Sequence, residues 1–233
     1  YTDTLRVEGD AKLTMENLLT ALSTKTSARE DNTAAVAAQK TQRSNDIIKV
    51  QPQGELLEAV RRAVPEDGIL ISGMTQLGYY SRAHFPVYEP RTFITSSYSG
   101  NLGYAYPTAL GAKVAQPDKA VVCLSGDGGF MFNSQEMSTA VAHNINVVVV
   151  VFNDNAYGNV KRDQMNQFSG RTIGVELHNP DFVKLAEAYG ARGFVANGPA
   201  ELEATLKEAL TLDAPVLIEV PVGPMPSPFF RNP

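Results

Sequence analysis

The stretch Ala120–Asn155, AVVCLSGDGGFMFNSQEMSTAVAHNINVVVVVFNDN, decides the fold. It opens on one apolar, β-branched run, AVVCLS (120–125), and closes on another, NVVVVVF (146–152), with helical character over 134–143 between them. Short apolar runs without polar alternation, bounded by turn residues, read as strands buried on both faces. Two of them joined through a helix form a parallel crossover pair. Each run stops at small and acidic residues: Gly126-Asp127-Gly128-Gly129 after the first, Asn153-Asp154-Asn155 after the second. Ligands of open parallel sheets bind beyond the carboxyl ends of the strands. If the two strands are neighbours, Asp127 and Asp154 share one crevice, where they repel each other and lose hydration. A hard divalent cation with anionic phosphate oxygens opposite resolves both problems. Gly128 and Gly129 allow backbone amides close to a phosphate, and the helix expected to start near Asn133-Ser134 adds the positive end of a dipole. Taken singly, GDG or NDN is an ordinary turn composition; at the ends of consecutive strands the two together are far more specific.

The pattern continues outward in both directions. On the N-terminal side Leu56, Leu57, Val60, Ala63 and Val64 fall on one helical face, followed by strands at GILIS (68–72) and RTFITS (91–96) and a helix over Pro107–Ala115. On the C-terminal side a helix at 180–189, a strand at 192–196, a helix at 199–210 and the strand APVLIEV (214–220) follow. Six apolar runs that mostly alternate with helices predict a three-layer α/β/α domain around a six-stranded, mainly parallel sheet. The polar, Ala-containing residues 24–48 read as a linker with a helical centre. Residues 1–23, with a short strand signal at Leu5–Val7 and a helix through Met15, Leu18, Leu19 and Leu22, read as the tail of a preceding domain. The domain proper is expected over 49–223. The proline-rich residues 224–233 are expected to lie extended over the surface.

Composition excludes several classes. Of 233 residues, 43% are hydrophobic and 19% charged, which is ordinary globular usage. The net charge of −5 and the lack of a basic stripe speak against a nucleic-acid partner. No apolar run is long enough for a transmembrane helix, so no membrane partner is expected. The single cysteine, Cys123, lies within an apolar strand and reads as packing; one thiol suits a reducing, cytoplasmic compartment. His84, His143 and His178 share no metal or triad spacing and read as surface or capping residues. The chain opens at Tyr1 without a leader pattern and is expected to be a piece of a longer polypeptide.

GDGGF, a helix, an apolar strand and NDN, with motif starts at 126 and 153, resemble the fingerprint of thiamin diphosphate-dependent enzymes. SGNLGYAYPTALGAKVAQPDKAVVCLSGDGGF and VVVFNDNAYGNVKRDQ are similar to the acetolactate synthase branch of that family. The resemblance spans about residues 50–223, and residues 1–23 resemble the end of the family's central domain. It implies a thiamin diphosphate-binding fold and thiamin diphosphate with Mg²⁺ as cofactors. It further implies a 2-oxo acid substrate, decarboxylation with carboligation, and a homo-oligomer (dimer or tetramer). Carried over by position, Asp127, Asp154 and the backbone carbonyl of Ala156 would ligate Mg²⁺. Gly126, Gly128, Gly129, Asn155 and Tyr157 would lie at the diphosphate. Leu102 would buttress the bent cofactor, the Gly100 carbonyl would accept from the aminopyrimidine amino group, and Gln76 would face the diphosphate or substrate. Gly158, Val160, Lys161, Met165, Met225, Pro226 and Phe229 are candidates for the substrate entrance, Met165 and Phe229 equally for packing.

Two departures stand out. Asp154 occupies a position where the family usually has Asn, adding a negative charge. The catalytic glutamate of the family belongs to an N-terminal domain that no part of this chain resembles, so the isolated chain is expected to be inactive. An FAD site, where the family has one, would also lie outside the resembling residues, and the sequence leaves FAD open. Within the family a benzoylformate-type decarboxylase is an alternative. A non-catalytic interaction module of the same fold predicts loss of the metal ligands, yet both aspartates are present. A dinucleotide-binding oxidoreductase predicts G-x-G-x-x-G opening a helix, which GDGGF does not satisfy.

Overall fold

The computed structural model describes residues 4–25, 31–47, 50–96 and 99–227. The chain divides into two compact units, residues 1–43 and 44–233. In the first, α1 (Ala11–Ser23) starts at an Asp10 cap whose side chain accepts from Leu13 N at 3.0 Å. The helix α2 (Thr33–Ile47) occupies the Ala-rich centre of the expected linker. The strand signal at Leu5–Val7 forms no strand; both residues are exposed and no described segment pairs with them. An isolated β-prone triplet cannot be a strand without a hydrogen-bonded neighbour.

The second unit starts with α3 (Gln53–Ala63), β1 (Ile69–Ser72), α4 (Gln76–His84), β2 (Phe93–Thr95), α5 (Ala105–Ala115) and β3 (Val121–Gly126). It continues through α6 (Asp127–Phe130), α7 (Glu136–Ala142), β4 (Val148–Asn153), α8 (Gly158–Gln167), α9 (Phe182–Tyr189), β5 (Arg192–Val195), α10 (Pro199–Ala209) and β6 (Val216–Pro221). All six strands are parallel, in the order β2-β1-β3-β4-β6-β5. Consecutive β1 and β2 run outward to one edge, and β3 returns to the other side of β1. The order therefore reverses between β1 and β3, which opens a crevice at their carboxyl ends.

Alternate residues of each central strand serve opposite cores. Leu70, Val122, Leu124, Val148, Val150 and Ile218 meet α3, α4 and α10 through Leu56, Val60, Leu77, Tyr80, Leu202 and Leu206. Ile71, Val121, Cys123, Val149, Val151 and Leu217 meet α5, α6, α7 and α9 through Ala109, Phe130, Met137, Phe182 and Ala186. This double burial is the reason β3 and β4 read as unbroken apolar runs. Burial pushes the Cys123 thiol up, as suits a packing residue. His84 departs from its expected place on the surface: it is buried at the end of α4 with its ring centroid 4.2 Å from that of Tyr80. After β6 the tail runs without regular structure through residue 227, with Met225 buried in the core.

Candidate cofactor site

Register places the two acidic turns together. Gly126 of β3 pairs with Phe152 of β4, so both strands release their loops at the same level of the sheet. Asp127 is 2% exposed. Its Oδ1 accepts from Gly128 N at 2.8 Å and its Oδ2 from Asn179 Nδ2 at 2.6 Å. Burial pushes the Asp127 carboxyl up, opposed by the Gly128 amide, the Asn179 side chain and the amides of Asn155 and Ala156. Asp154 is half-buried and accepts a long bond, 3.3 Å, from Ala156 N. Burial and then the Asp127 charge push Asp154 up to about 6. The charge of Asp127 thus disfavours ionisation of Asp154, and a cation between the two carboxyl groups relieves this.

The backbone supplies a third donor. Ala156 bridges Glu176 in antiparallel fashion, with Tyr157 N donating to Val175 O and Asn155 O accepting from Leu177 N, both at 2.8 Å. In such a bridge the central residue's own N–H and C=O point to the other side. There the Ala156 N–H already meets Asp154, so its carbonyl shares the side of the acid pair. Among the described residues no group of three or more His, Cys, Asp or Glu forms a metal site. The available donor set is two carboxylates and this carbonyl, and its hard oxygen chemistry fits Mg²⁺.

Glycines shape the floor. A Cβ on Gly128 would lie 2.5 Å from Tyr157 Cε1, so the Tyr157 ring rests directly on that backbone. A Cβ on Gly158 would lie 2.4 Å from Asp154 Oδ2, so any side chain there would displace the Asp154 carboxylate. The helix end expected near Asn133-Ser134 is not the one at the site. The short helix α6 begins at Asp127 itself, and α7 starts later, at Glu136. Tight turns, Asn133 N to Phe130 O at 3.0 Å and Glu136 N to Asn133 O at 3.1 Å, fill the interval.

A cavity of about 180 Å³ gathers most of the residues expected from the sequence. Gln76, Gly100, Leu102, Gly126, Asp127, Gly128, Gly129, Asp154, Ala156 and Tyr157 line it, as do Gly158, Val160 and Met225 of the expected entrance. Leu102 is 37% exposed, close over Gly129. Enclosed sites for larger ligands run to ~300–1,000 Å³, so this cavity has room for one end of such a ligand. Asn155 is not among the lining residues; it is exposed, with a φ of 54°, and its Oδ1 accepts from Asn179 Nδ2 at 3.5 Å. Lys161 pairs with Glu176 at 2.7 Å. Met165 is half-exposed and outside the cavity. The Pro226 carbonyl accepts from Gln53 Nε2 at 2.8 Å. Phe229 lies outside the described residues.

Two residues that the sequence did not single out are central. Asn179 Nδ2 reaches Asp127 Oδ2 and, at 2.9 Å, Asn153 Oδ1, tying both acidic turns to the 178–180 loop. Arg162 Nη1 donates to Gln76 Oε1 at 2.9 Å, and its Nη2 donates to Asn159 Oδ1. Both come from loop or surface-helix positions without periodicity, 52 and 86 residues from their partners, so no local signal marks them.

A doubly wound sheet with an acidic pair beyond adjacent central strands is the arrangement of a domain whose ligand site lies at the carboxyl ends of its strands. Residues 73–220 match the family described as thiamine pyrophosphate enzyme, C-terminal TPP binding domain, and the chain belongs to that family. It is 32% identical over 237 residues to a probable acetolactate synthase large subunit of Methanococcus aeolicus, covering 94% of this chain and 40% of the relative. It is 39% identical over 171 residues to the acetolactate synthase large subunit of Haemophilus influenzae, covering 73% of this chain and 29% of the relative. Among solved structures it resembles the Rhodococcus jostii RHA1 thiamine diphosphate-dependent 4-hydroxybenzoylformate decarboxylase. The TM-score is 0.67 and the identity 32%, over 72% of this chain and 32% of that one. The chain thus spans well under half the length of these relatives. Among the described residues no helix is long and apolar enough to cross a membrane.

Proposed function

We propose that this chain supplies the Mg²⁺–diphosphate anchor of a thiamin diphosphate-dependent enzyme that acts on 2-oxo acids in the manner of acetolactate synthase. The observation that carries this reading is the Asp127–Asp154 pair, held at adjacent strand ends beside the Gly128 amide. Asp127, Asp154 and the Ala156 carbonyl would hold Mg²⁺. Gly126, Gly128, Gly129 and Tyr157 would form the diphosphate floor, with Asn155 beside it at the corner of the loop. Leu102 offers an apolar face on which the cofactor's body can rest, Gly100 a backbone carbonyl for its amino group, and Gln76 a side-chain amide. When bound, the cofactor supplies the carbanion chemistry that cleaves or joins bonds next to a carbonyl. The residues of this chain bind and orient it and keep water from one side. The proton-handling glutamate of the family would come from another segment or subunit, so an oligomer is expected and this chain alone should turn over little.

The likeness to a benzoylformate-type decarboxylase favours a second reading, in which the product is an aldehyde rather than a joined hydroxy-oxo acid. Product analysis with the full-length protein separates the two. The anchor itself is tested by calorimetric titration with thiamin diphosphate, with and without Mg²⁺. Mg²⁺-dependent binding is the expected result; equal binding with Mg²⁺ and with EDTA would sink the metal assignment.

A further inference from the structure

Arg162 sits on α8, one turn beyond the Gly158 contact with Asp154, and its partners are unusual for a half-buried cation. Its two guanidinium contacts are neutral amide oxygens, those of Gln76 and Asn159, and both of these side chains line the cavity. Among the described residues no carboxylate pairs with it, Asp154 and Asp163 included. The adjacent Lys161 shows the ordinary arrangement, with Glu176 at 2.7 Å. Gln76 is 7% exposed, so the contact that fixes Arg162 lies against the buried wall and not in open solvent. A second guanidinium flanks the same wall. Arg82 Nη2 reaches Met74 Sδ at 3.3 Å, and its Cζ lies 5.5 Å from the Tyr79 ring centroid. Met74 and Tyr79 also line the cavity, and the oxygens that Arg82 contacts, Thr95 Oγ1 and the Ser96 carbonyl, are neutral. The cavity therefore has an acid pair on one side and, behind the Gln76–Tyr79 wall, two guanidinium groups that do not themselves line it and that have no carboxylate partner among the described residues.

We infer that Arg162 is a specificity-determining residue that receives a second anionic group of the substrate, so that this protein selects 2-oxo acids with a charged tail, such as a distal carboxylate. The inference rests on the function proposed above. The guanidinium fork matches a carboxylate in a planar, two-point fashion, and Gln76 and Asn159 hold it in place without neutralising it. The carboxylate that departs as CO₂ is a poor candidate for this partner. A cation on it would stabilise the charged ground state more than the transition state, in which that charge is leaving. A group that keeps its charge throughout the reaction has no such conflict. Arg82, exposed and further out, adds to the attraction for the same ligand end without needing to touch it.

The diphosphate of the cofactor is the other anion that Arg162 could meet, and the experiment separates the two. In the full-length protein with thiamin diphosphate and Mg²⁺, CO₂ release is measured with 2-oxoglutarate and pyruvate, for the wild type, Arg162→Gln and Arg162→Lys. The ratio of kcat/KM for 2-oxoglutarate over that for pyruvate should fall about tenfold or more in Arg162→Gln, mainly through KM, with partial recovery in Arg162→Lys. Binding of glutarate and butyrate to the cofactor-loaded protein, measured by calorimetry, gives a readout free of turnover. Glutarate should bind more tightly than butyrate to the wild type, and Arg162→Gln should erase the difference. An unchanged ratio, or equal binding of the two acids by the wild type, overturns the inference. So does a weakening of thiamin diphosphate itself in Arg162→Gln, which would make Arg162 a diphosphate ligand. No CO₂ from any 2-oxo acid would instead refute the proposed function, and the glutarate comparison would still decide the role of Arg162.

Discussion

The two acidic turns, Asp127 after β3 and Asp154 after β4, look alike in sequence but stand in different surroundings. Asp127 is almost sealed, with one oxygen on the Gly128 amide and the other on Asn179. Asp154 is more open, has one long bond within its own turn, and is pushed up to about 6 by burial and by the Asp127 charge. One carboxylate is fixed by neighbours from three segments; the other is held chiefly by the backbone around it. A donor set with one rigid and one adjustable ligand can close around a cation with little rearrangement, and the rigid member determines where the cation sits.

The difference can be broken most severely at the rigid member. Asp127→Ala should abolish Mg²⁺-dependent thiamin diphosphate binding, weakening it by ~100-fold or more in calorimetric titration, because it removes a charged ligand and not only its support. Asn179→Ala should leave the carboxylate present but unheld, and weaken binding by ~10–100-fold, the range for groups that orient metal ligands. An effect as small as that of a remote surface substitution would show that Asn179 does not orient Asp127.

The open member should respond in two directions at once. Asp154→Asn keeps a ligand oxygen but removes the repulsion, so Mg²⁺ should bind about tenfold more weakly while the cation-free protein melts higher. A lower melting temperature without cation would contradict the repulsion. The pH dependence follows with the same sign. The folded-state pKa of Asp154 lies above its ordinary 3.8, at about 6, so the folded protein holds this proton more tightly than the unfolded chain. This group's contribution to stability is therefore lost as pH rises from about 4 through 6, and Mg²⁺ should restore it above that range. Thermal melts at pH 5 and 7.5, with EDTA or with Mg²⁺, check this directly. A further effect, on stability and not on the cation, concerns the floor common to both turns. Gly128→Ala would place a methyl group 2.5 Å from Tyr157 and should cost about 1–3 kcal/mol in a denaturation experiment.

Another contrast shows how far pattern reading reaches. In α3, Leu56, Leu57 and Val60 lie on one face and are all buried. In α1, Leu13, Leu18, Leu19 and Leu22 are equally apolar, yet they remain 43–72% exposed. Periodicity identified both helices, because it is a local property of the chain. Burial needs a partner, and α3 has its partners in the core it shares with α4, α10 and the sheet. The helices α4 and α8 were not anticipated, since QLGYYSRAH and GNVKRDQMNQ alternate polar and apolar residues without a clean face. The short helix α6 is hidden in the sequence by its two glycines.

Sequence alone determined the layered parallel sheet and the placing of both acidic turns at strand ends; the family resemblance supplied most of the other cavity residues, and the strand order made the two turns neighbours. Apolar runs, glycines and strand-end acids are local signals, and a parallel sheet brings strand ends together whatever the loops contain. Only the tertiary structure decided that Asn179 clamps Asp127, that Asn155 stays out of the cavity lining, that Lys161 is paired, and that Arg162 stands behind Gln76 with no carboxylate partner among the described residues. Each of these depends on a long-range hydrogen bond, an ion pair or a backbone twist between segments far apart in the chain. Their strength is set by burial and orientation, quantities that exist only once the chain has closed on itself.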